Sequence, residues 1–189
     1  VRNFLSFQTP YNSLLLFHGL GTGKTCSSIS VCEEMRSYYN QLGITKKIII
    51  VASPTVQTNY RLQLFDHRKL KNINGSWNLK SCTGNKFINE INPMHMKGLS
   101  RDKLISQIEK IINQSYEFMG YTGFANYIDN IIKKNLPREK DSVRQRKNKI
   151  KALRHEFSNR LITIDEVHNI RNVDGMKGTS EKFLELVTY

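Results

Sequence analysis

The stretch His18-Gly-Leu-Gly-Thr-Gly-Lys-Thr25 decides how this chain is read. Leu14-Leu-Leu-Phe17 precedes it, a short apolar burst of strand type. Cys26-Ser-Ser-Ile-Ser-Val-Cys-Glu-Glu-Met-Arg36 follows and reads as a helix. Strand, glycine loop, Lys-Thr and helix, in that order, are the context of a phosphate-binding loop. Gly19, Gly21 and Gly23 let backbone N–H groups close around phosphate oxygens. The helix N-terminus adds partial positive charge. Lys24 then reaches the β- and γ-phosphates, and the Thr25 hydroxyl ligates Mg²⁺. The strict pattern places glycine where this chain has His18. The bland alternative is a glycine-rich turn with Lys24 on a solvated surface.

A second signal stands far downstream. Arg160-Leu-Ile-Thr-Ile-Asp-Glu-Val-His168 is a buried-type strand ending in two acids. In a phosphate-loop fold the magnesium-binding acid lies at the tip of a neighbouring parallel strand. Asp165 suits Mg²⁺, and Glu166 suits orienting and deprotonating the attacking water. His168 lies just beyond, placed to sense the γ-phosphate or a facing domain. An Asp-Glu pair alone is weakly specific, because charged residues often stop strands. Coupled to the upstream loop it predicts an ATP site with residues 18–25 around the phosphates.

Between the two motifs the pattern is α/β. A helix over residues 25–41 is expected to stop at Gly43. Lys46-Lys-Ile-Ile-Ile-Val-Ala52 reads as a strand buried on both faces of a parallel sheet. Ser53, Pro54 and Thr55 form a loop before a helix over residues 56–66, at the sheet edge where α/β folds bind ligands. They are the candidates for holding a nucleic-acid backbone; a plain helix cap is the alternative. Residues 67–76 read as a loop, 77–83 as a strand and 84–98 as irregular. A helix over 102–113, a strand over 116–121 and a helix over 124–132 follow from apolar spacing.

Charge points to the partner. The chain's 189 residues suffice for one domain with a sizeable core. Lys and Arg number 29 against 16 Asp and Glu, a formal net charge of +13. Such an excess favours a polyanion. Residues 133–155 hold ten Lys or Arg against Glu139 and Asp141. This segment reads either as a basic arm or helix touching phosphates, or as a solvated, partly mobile insertion. No apolar tract is long enough for a membrane-spanning helix. The three cysteines, Cys26, Cys32 and Cys82, lie in no CxxC pattern. They suggest neither a disulfide framework nor a zinc site, and favour a reducing compartment. The abrupt ends suggest a fragment of a longer protein.

The two motifs resemble motifs I and II of superfamily 2 helicases, in the DEAH-like branch, and Ser53-Pro-Thr55 sits at that superfamily's motif Ia. Leu15-Leu-Phe-His-Gly-Leu-Gly-Thr-Gly-Lys-Thr-Cys26 and Ile164-Asp-Glu-Val-His-Asn-Ile-Arg171 are similar to helicases of nucleocytoplasmic large DNA viruses, among them the poxvirus early transcription factor helicase subunit. The resemblance implies an α/β, RecA-like P-loop NTPase fold, with a mostly parallel sheet flanked by helices and a basic helical insertion at about 133–158. It implies ATP, Mg²⁺ and movement on DNA or RNA. A second RecA-like domain bearing an arginine finger is implied too; no later motif matches here, so residues 1–189 resemble the N-terminal half of the motor. Viral transcription machinery is an implied partner, and the host cytoplasm or virion an implied location. The alternatives are a genome-packaging ring ATPase and a nucleotide-gated scaffold that binds nucleic acid.

Overall fold

The apolar run after Lys47 forms a strand, as its composition requires. The structure, a computed structural model, describes residues 5, 9–17, 19, 21–135 and 142–170. Ile48–Val51 (β1) is buried at every position. Such a strand needs ladder partners on both edges and cover on both faces. Tyr116–Met119 (β4) and Ile162–Ile164 (β5) supply the partners, in the order β4-β1-β5. β1 and β5 run parallel, with Ile49 opposite Ile162 and Val51 opposite Ile164. On the other edge the Ala52 N–H donates to the Met119 carbonyl at 3.0 Å. The chain is an α/β protein whose mostly parallel sheet is flanked by helices, the arrangement of a RecA-like P-loop NTPase.

The residues group into two units. One comprises Val1–Ile48 and Thr58–Glu117, the other Ile49–Gln57 and Phe118–Tyr189. In the first, Lys24–Leu42 (α1) stops at Gly43 as predicted. Gly43 has φ 66°, a left-handed conformation that glycine adopts without a Cβ penalty, and the Ile44 N–H closes back on the Tyr39 carbonyl at 2.9 Å. Arg101–Ser115 (α4) buries Leu104, Ile108 and Ile112, one stripe at helical spacing.

The second unit holds most of the sheet and two helices, Tyr121–Asn135 (α5) and Ser142–Phe157 (α6). Its core joins Ile49 and Val51 of β1 to Phe124, Ile128 and Ile132 of α5 and Leu153 of α6. Phe157 meets the rings of Phe124 and Tyr127 edge-on, at 6.0 and 6.1 Å between centroids.

Several expectations are corrected. Residues 14–17 form no strand; Leu15 is 74% and Phe17 94% exposed. Four apolar residues are too short a signal without a ladder partner, and among the described residues none pairs with them. Pro54 is not in a loop: Pro54–Leu64 (α2) begins on it. Proline suits that position because the first helical N–H needs no intrahelical acceptor. Residues 67–76 are not a plain loop. Leu70–Ile73 (β2) and Ser76–Leu79 (β3) form an antiparallel hairpin outside the main sheet. Its turn places both Asn74 (φ 54°) and Gly75 (φ 84°) in the left-handed region. Asn-Gly is the dipeptide a two-residue hairpin turn favours. Lys86–Ile91 (α3) lies within the stretch expected to be irregular. Over residues 142–157 the basic segment is the helix α6, which buries Ala152 and Leu153. The expectations for residues 136–141 lie outside the described residues.

Candidate nucleotide site

Gly21 and Gly23 shape the turn into α1. Their φ angles are 74° and 85°, and a Cβ on either would meet no atom within 4 Å. Backbone conformation, not space, therefore demands glycine there. The Thr22 hydroxyl donates to the Gly19 carbonyl at 2.7 Å, closing the loop on itself. The helical ladder begins with the Ser27 N–H donating to the Gly23 carbonyl at 2.9 Å. Donors ahead of it lie outside the helix's own pairing, as at any helix start. The first turn carries no acid to oppose an anion. Lys24 and Thr25 stand half-buried at its head. Glycine conformation, helix polarity and a Lys-Thr pair fit a polyphosphate. His18 and Leu20 lie outside the described residues.

The residue after Thr25 brings another correction. Cys26 is in a disulfide with Cys82, across 56 positions of sequence, and ties the head of α1 to the turn after β3. Odd cysteine count and absent spacing pattern concealed it, because pairing cannot be read from sequence alone. Cys32 is buried and outside this bridge. A link over that separation restricts the unfolded chain, and bridges of this kind contribute about 2–4 kcal/mol. Urea unfolding with and without dithiothreitol is expected to differ by that amount. Cys82→Ser should match the reduced protein and ignore reductant; equal midpoints in all samples would rule the bridge out.

Beneath the loop, α1 is anchored by buried charge. The Arg36 guanidinium grips both Glu33 carboxylate oxygens at 2.8–3.1 Å and both Glu90 oxygens at 3.1 and 2.7 Å. The Tyr116 hydroxyl donates to Glu33 at 2.6 Å, and Lys86 Nζ lies 3.3 Å from it. Burial pushes the Glu33 carboxyl up. Bonds from Arg36, its charge, the Tyr116 hydroxyl and Lys86 outweigh that and hold it below its ordinary value. Burial pushes the Tyr116 phenol well up, reinforced by negative charge nearby.

Asp165 and Glu166 lie where β5 ends. The Asp165 N–H still donates to the Val51 carbonyl at 3.0 Å, so the ladder reaches this residue. The Tyr121 hydroxyl donates to the Asp165 carbonyl at 2.8 Å. Nothing in sequence pointed to this tie across 44 positions. Glu166 has φ 48°, a conformation that side chains rarely adopt. Such strain costs on the order of 1–3 kcal/mol and clusters at functional sites. It is held by the Asn169 N–H, which donates to the Glu166 carbonyl at 2.9 Å at the start of a short 3-10 turn, Val167–Ile170. His168 Nδ1 stands 3.2 Å from a Glu166 carboxylate oxygen. Among the described residues no three His, Cys, Asp or Glu cluster as a protein-only metal cage. Hydroxyl and carboxylate oxygens such as those of Thr25 and Asp165 are the hard donors Mg²⁺ takes, with phosphates and waters filling the rest.

Register places the candidate strand-binding segment at the same sheet edge as these acids. Val51 pairs with Ile164, so Ser53–Thr55 follows β1 as Asp165-Glu166 follows β5. Pro54 and Thr55 are exposed at the start of α2. Gln57 Nε2 donates to the Ala52 carbonyl at 2.7 Å and pins that junction. The phosphate loop belongs to the first unit, and Ser53–Thr55, Asp165, Glu166 and His168 to the second.

A mostly parallel sheet flanked by helices is the fold of the P-loop NTPases. The chain belongs to the SNF2-related domain family, which it matches over residues 1–188. It is 28% identical to candidate helicase 009L of Frog virus 3, across 92% of this chain and 14% of that protein. Identity is 24% with the candidate ATP-dependent RNA helicase L377 of Acanthamoeba polyphaga mimivirus, across 89% and 14%. With candidate helicase 087L of Invertebrate iridescent virus 3 it is 28%, across 90% and 14%. The chain thus spans 14% of the length of each of these relatives. No solved structure matches it. The likeness fixes the superfamily 2 class.

Proposed function

We propose that this chain is the ATP-binding half of a superfamily 2 helicase or translocase, coupling ATP hydrolysis to movement on DNA or RNA in viral transcription or replication. What supports it most is the left-handed Gly21 and Gly23 turn that opens α1 directly onto Lys24-Thr25, within a chain of the SNF2-related family. The narrower kinship, to the poxvirus early transcription factor helicase subunit, rests on the motif wording alone, as does a home in the viral factory or virion.

Lys24 and the loop N–H groups hold the β- and γ-phosphate oxygens of ATP. Thr25 and Asp165 would hold Mg²⁺, which when bound would supply positive charge to the phosphates. Glu166 accepts a proton from water at its carboxylate, with His168 fixing its orientation at 3.2 Å. Ser53, Pro54 and Thr55 touch the backbone of the strand. A second RecA-like domain closes on the nucleotide and moves relative to this one.

The test is the ATPase rate of the full-length protein with DNA, with RNA and with neither. Nucleic acid should accelerate turnover. Glu166→Gln should slow it by roughly 10²-fold or more while nucleotide still binds, since a general base contributes that much. An unaffected Glu166→Gln enzyme would remove Glu166 from the mechanism.

A further inference from the structure

Helix α6 is strongly basic. From Ser142 to His155 it has six Lys or Arg and no Asp or Glu. Arg144, Lys147, Lys151 and Arg154 are all exposed, spaced by three, four and three residues. That spacing lines them along one face over about 15 Å. The opposite face is spent on the core through Ala152, Leu153 and Phe157. A basic face on a mobile tail is often mere solvation; this one is fixed on a packed helix.

Beside the stripe runs an open groove of about 910 Å³ between α5 and α6. Lys134, Asn135, Lys151 and His155 rim it, with Tyr127 and Ile131 exposing ring and aliphatic surface within. Glu156 is the acid in its lining, and it is already engaged: Tyr127 and Arg160 both donate to its carboxylate. Arg160 Nη1 also bonds the Tyr127 hydroxyl at 2.9 Å. The groove therefore presents cations and amides to a ligand, with its negative charge offset from behind.

We infer that the α5–α6 groove and the α6 stripe form a binding site for the phosphodiester backbone of single-stranded nucleic acid. A row of single cations suits a polymer with one negative charge per residue, and apolar floor beside it suits sugars and bases. A lipid surface is a poor fit, since Ala152, Leu153 and Phe157 of α6 pack inward and only Val143 stands exposed, whereas a membrane-lying helix needs a whole apolar face outward. The site rests on the motor reading above and adds a contact to Ser53–Thr55, on different elements of the second unit.

The experiment uses the full-length protein and fluorescent oligo(dT) and oligo(U), each roughly 20 nucleotides to exceed one binding footprint. Lys134→Gln, Lys147→Gln and Lys151→Gln are combined; all three side chains are exposed and glutamine is a good helix former. The combined variant should bind roughly tenfold or more weakly, and its log–log salt slope should fall by about 2. Lys147→Gln with Lys151→Gln alone should lower the slope by about 1.4. Turnover without nucleic acid should stay unchanged. Unaltered affinity and slope would overturn the site, as would an unsubstituted protein that binds neither oligonucleotide. Poly-glutamate competing equally, and losing affinity in the same variant, would reassign the groove to an acidic protein. Lys24→Ala run in parallel tests the motor reading separately, because it reads turnover rather than strand binding.

Discussion

ATP turnover by the full-length protein should fall by roughly 10²–10³-fold or more when Lys24 is replaced by alanine, the loss expected for one charged donor aimed at developing negative charge. Lys24 is the first residue of α1, held at the mouth of a turn that Gly21 and Gly23 bend into the left-handed region. Its ammonium adds to the N-terminal helix charge in a first turn that carries no acid. Removing it takes away a full charge where phosphoryl transfer concentrates negative charge, and leaves the loop backbone intact. Lys24→Arg is not a rescue: a longer planar fork does not reproduce a compact point charge. Neither change should alter the unfolding free energy from urea titration by more than about 0.5 kcal/mol, since the side chain is only half-buried. Undiminished ATP hydrolysis by Lys24→Ala would place the chemistry elsewhere and sink the reading.

The parts of this protein legible in sequence are those whose cause is local. Residues 48–51 announce a doubly covered strand because four apolar β-formers leave no other solution. Gly43 announces a stop because only a residue at ease with φ 66° closes that helix end. Asp165-Glu166 announces a sheet edge because acids follow an apolar strand. The parts that were not legible depend on partners far away. The Cys26–Cys82 bridge and the Tyr121 tie to Asp165 span 56 and 44 positions. Leu14-Leu-Leu-Phe17 misled for the opposite reason: a local apolar signal promises a strand only when a ladder accepts it. The hairpin at residues 70–79 had a clear local sign in Asn74-Gly75, but β2 buries only Leu70, so its flank looked polar. Asp102 to Asn113 was readable because α4 shows a single apolar stripe. Helix α6 was read by charge and not by packing, although Ala152, Leu153 and Phe157 already marked an inward face.

Arg36→Met should destabilise the protein by about 3–5 kcal/mol, the cost of leaving a buried carboxylate without its cation. Arg36 is 3% and Glu33 4% exposed, so water cannot replace the lost bonds. Glu90 is more exposed, at 37% of its side chain, and can turn to solvent; Glu33 cannot. Lys86 at 3.3 Å and the Tyr116 hydroxyl offset part of the loss, which favours the lower end of the range. The same group sets a pH dependence. Glu33 is held below its ordinary value, so its contribution is present above the unfolded-state pKa and is lost as pH falls through the folded one. Stability of the unsubstituted protein should therefore drop in the acid range, and Arg36→Met should lose much of that slope. In Glu33→Leu with Arg36→Met both charges are gone and apolar volume remains, so more than half of the lost stability should return. Urea unfolding at neutral and acid pH measures all three. If the double substitution is as unstable as Arg36→Met, the penalty lies in packing against Phe87, whose ring lies 5.0 Å from the guanidinium, and not in the stranded carboxylate.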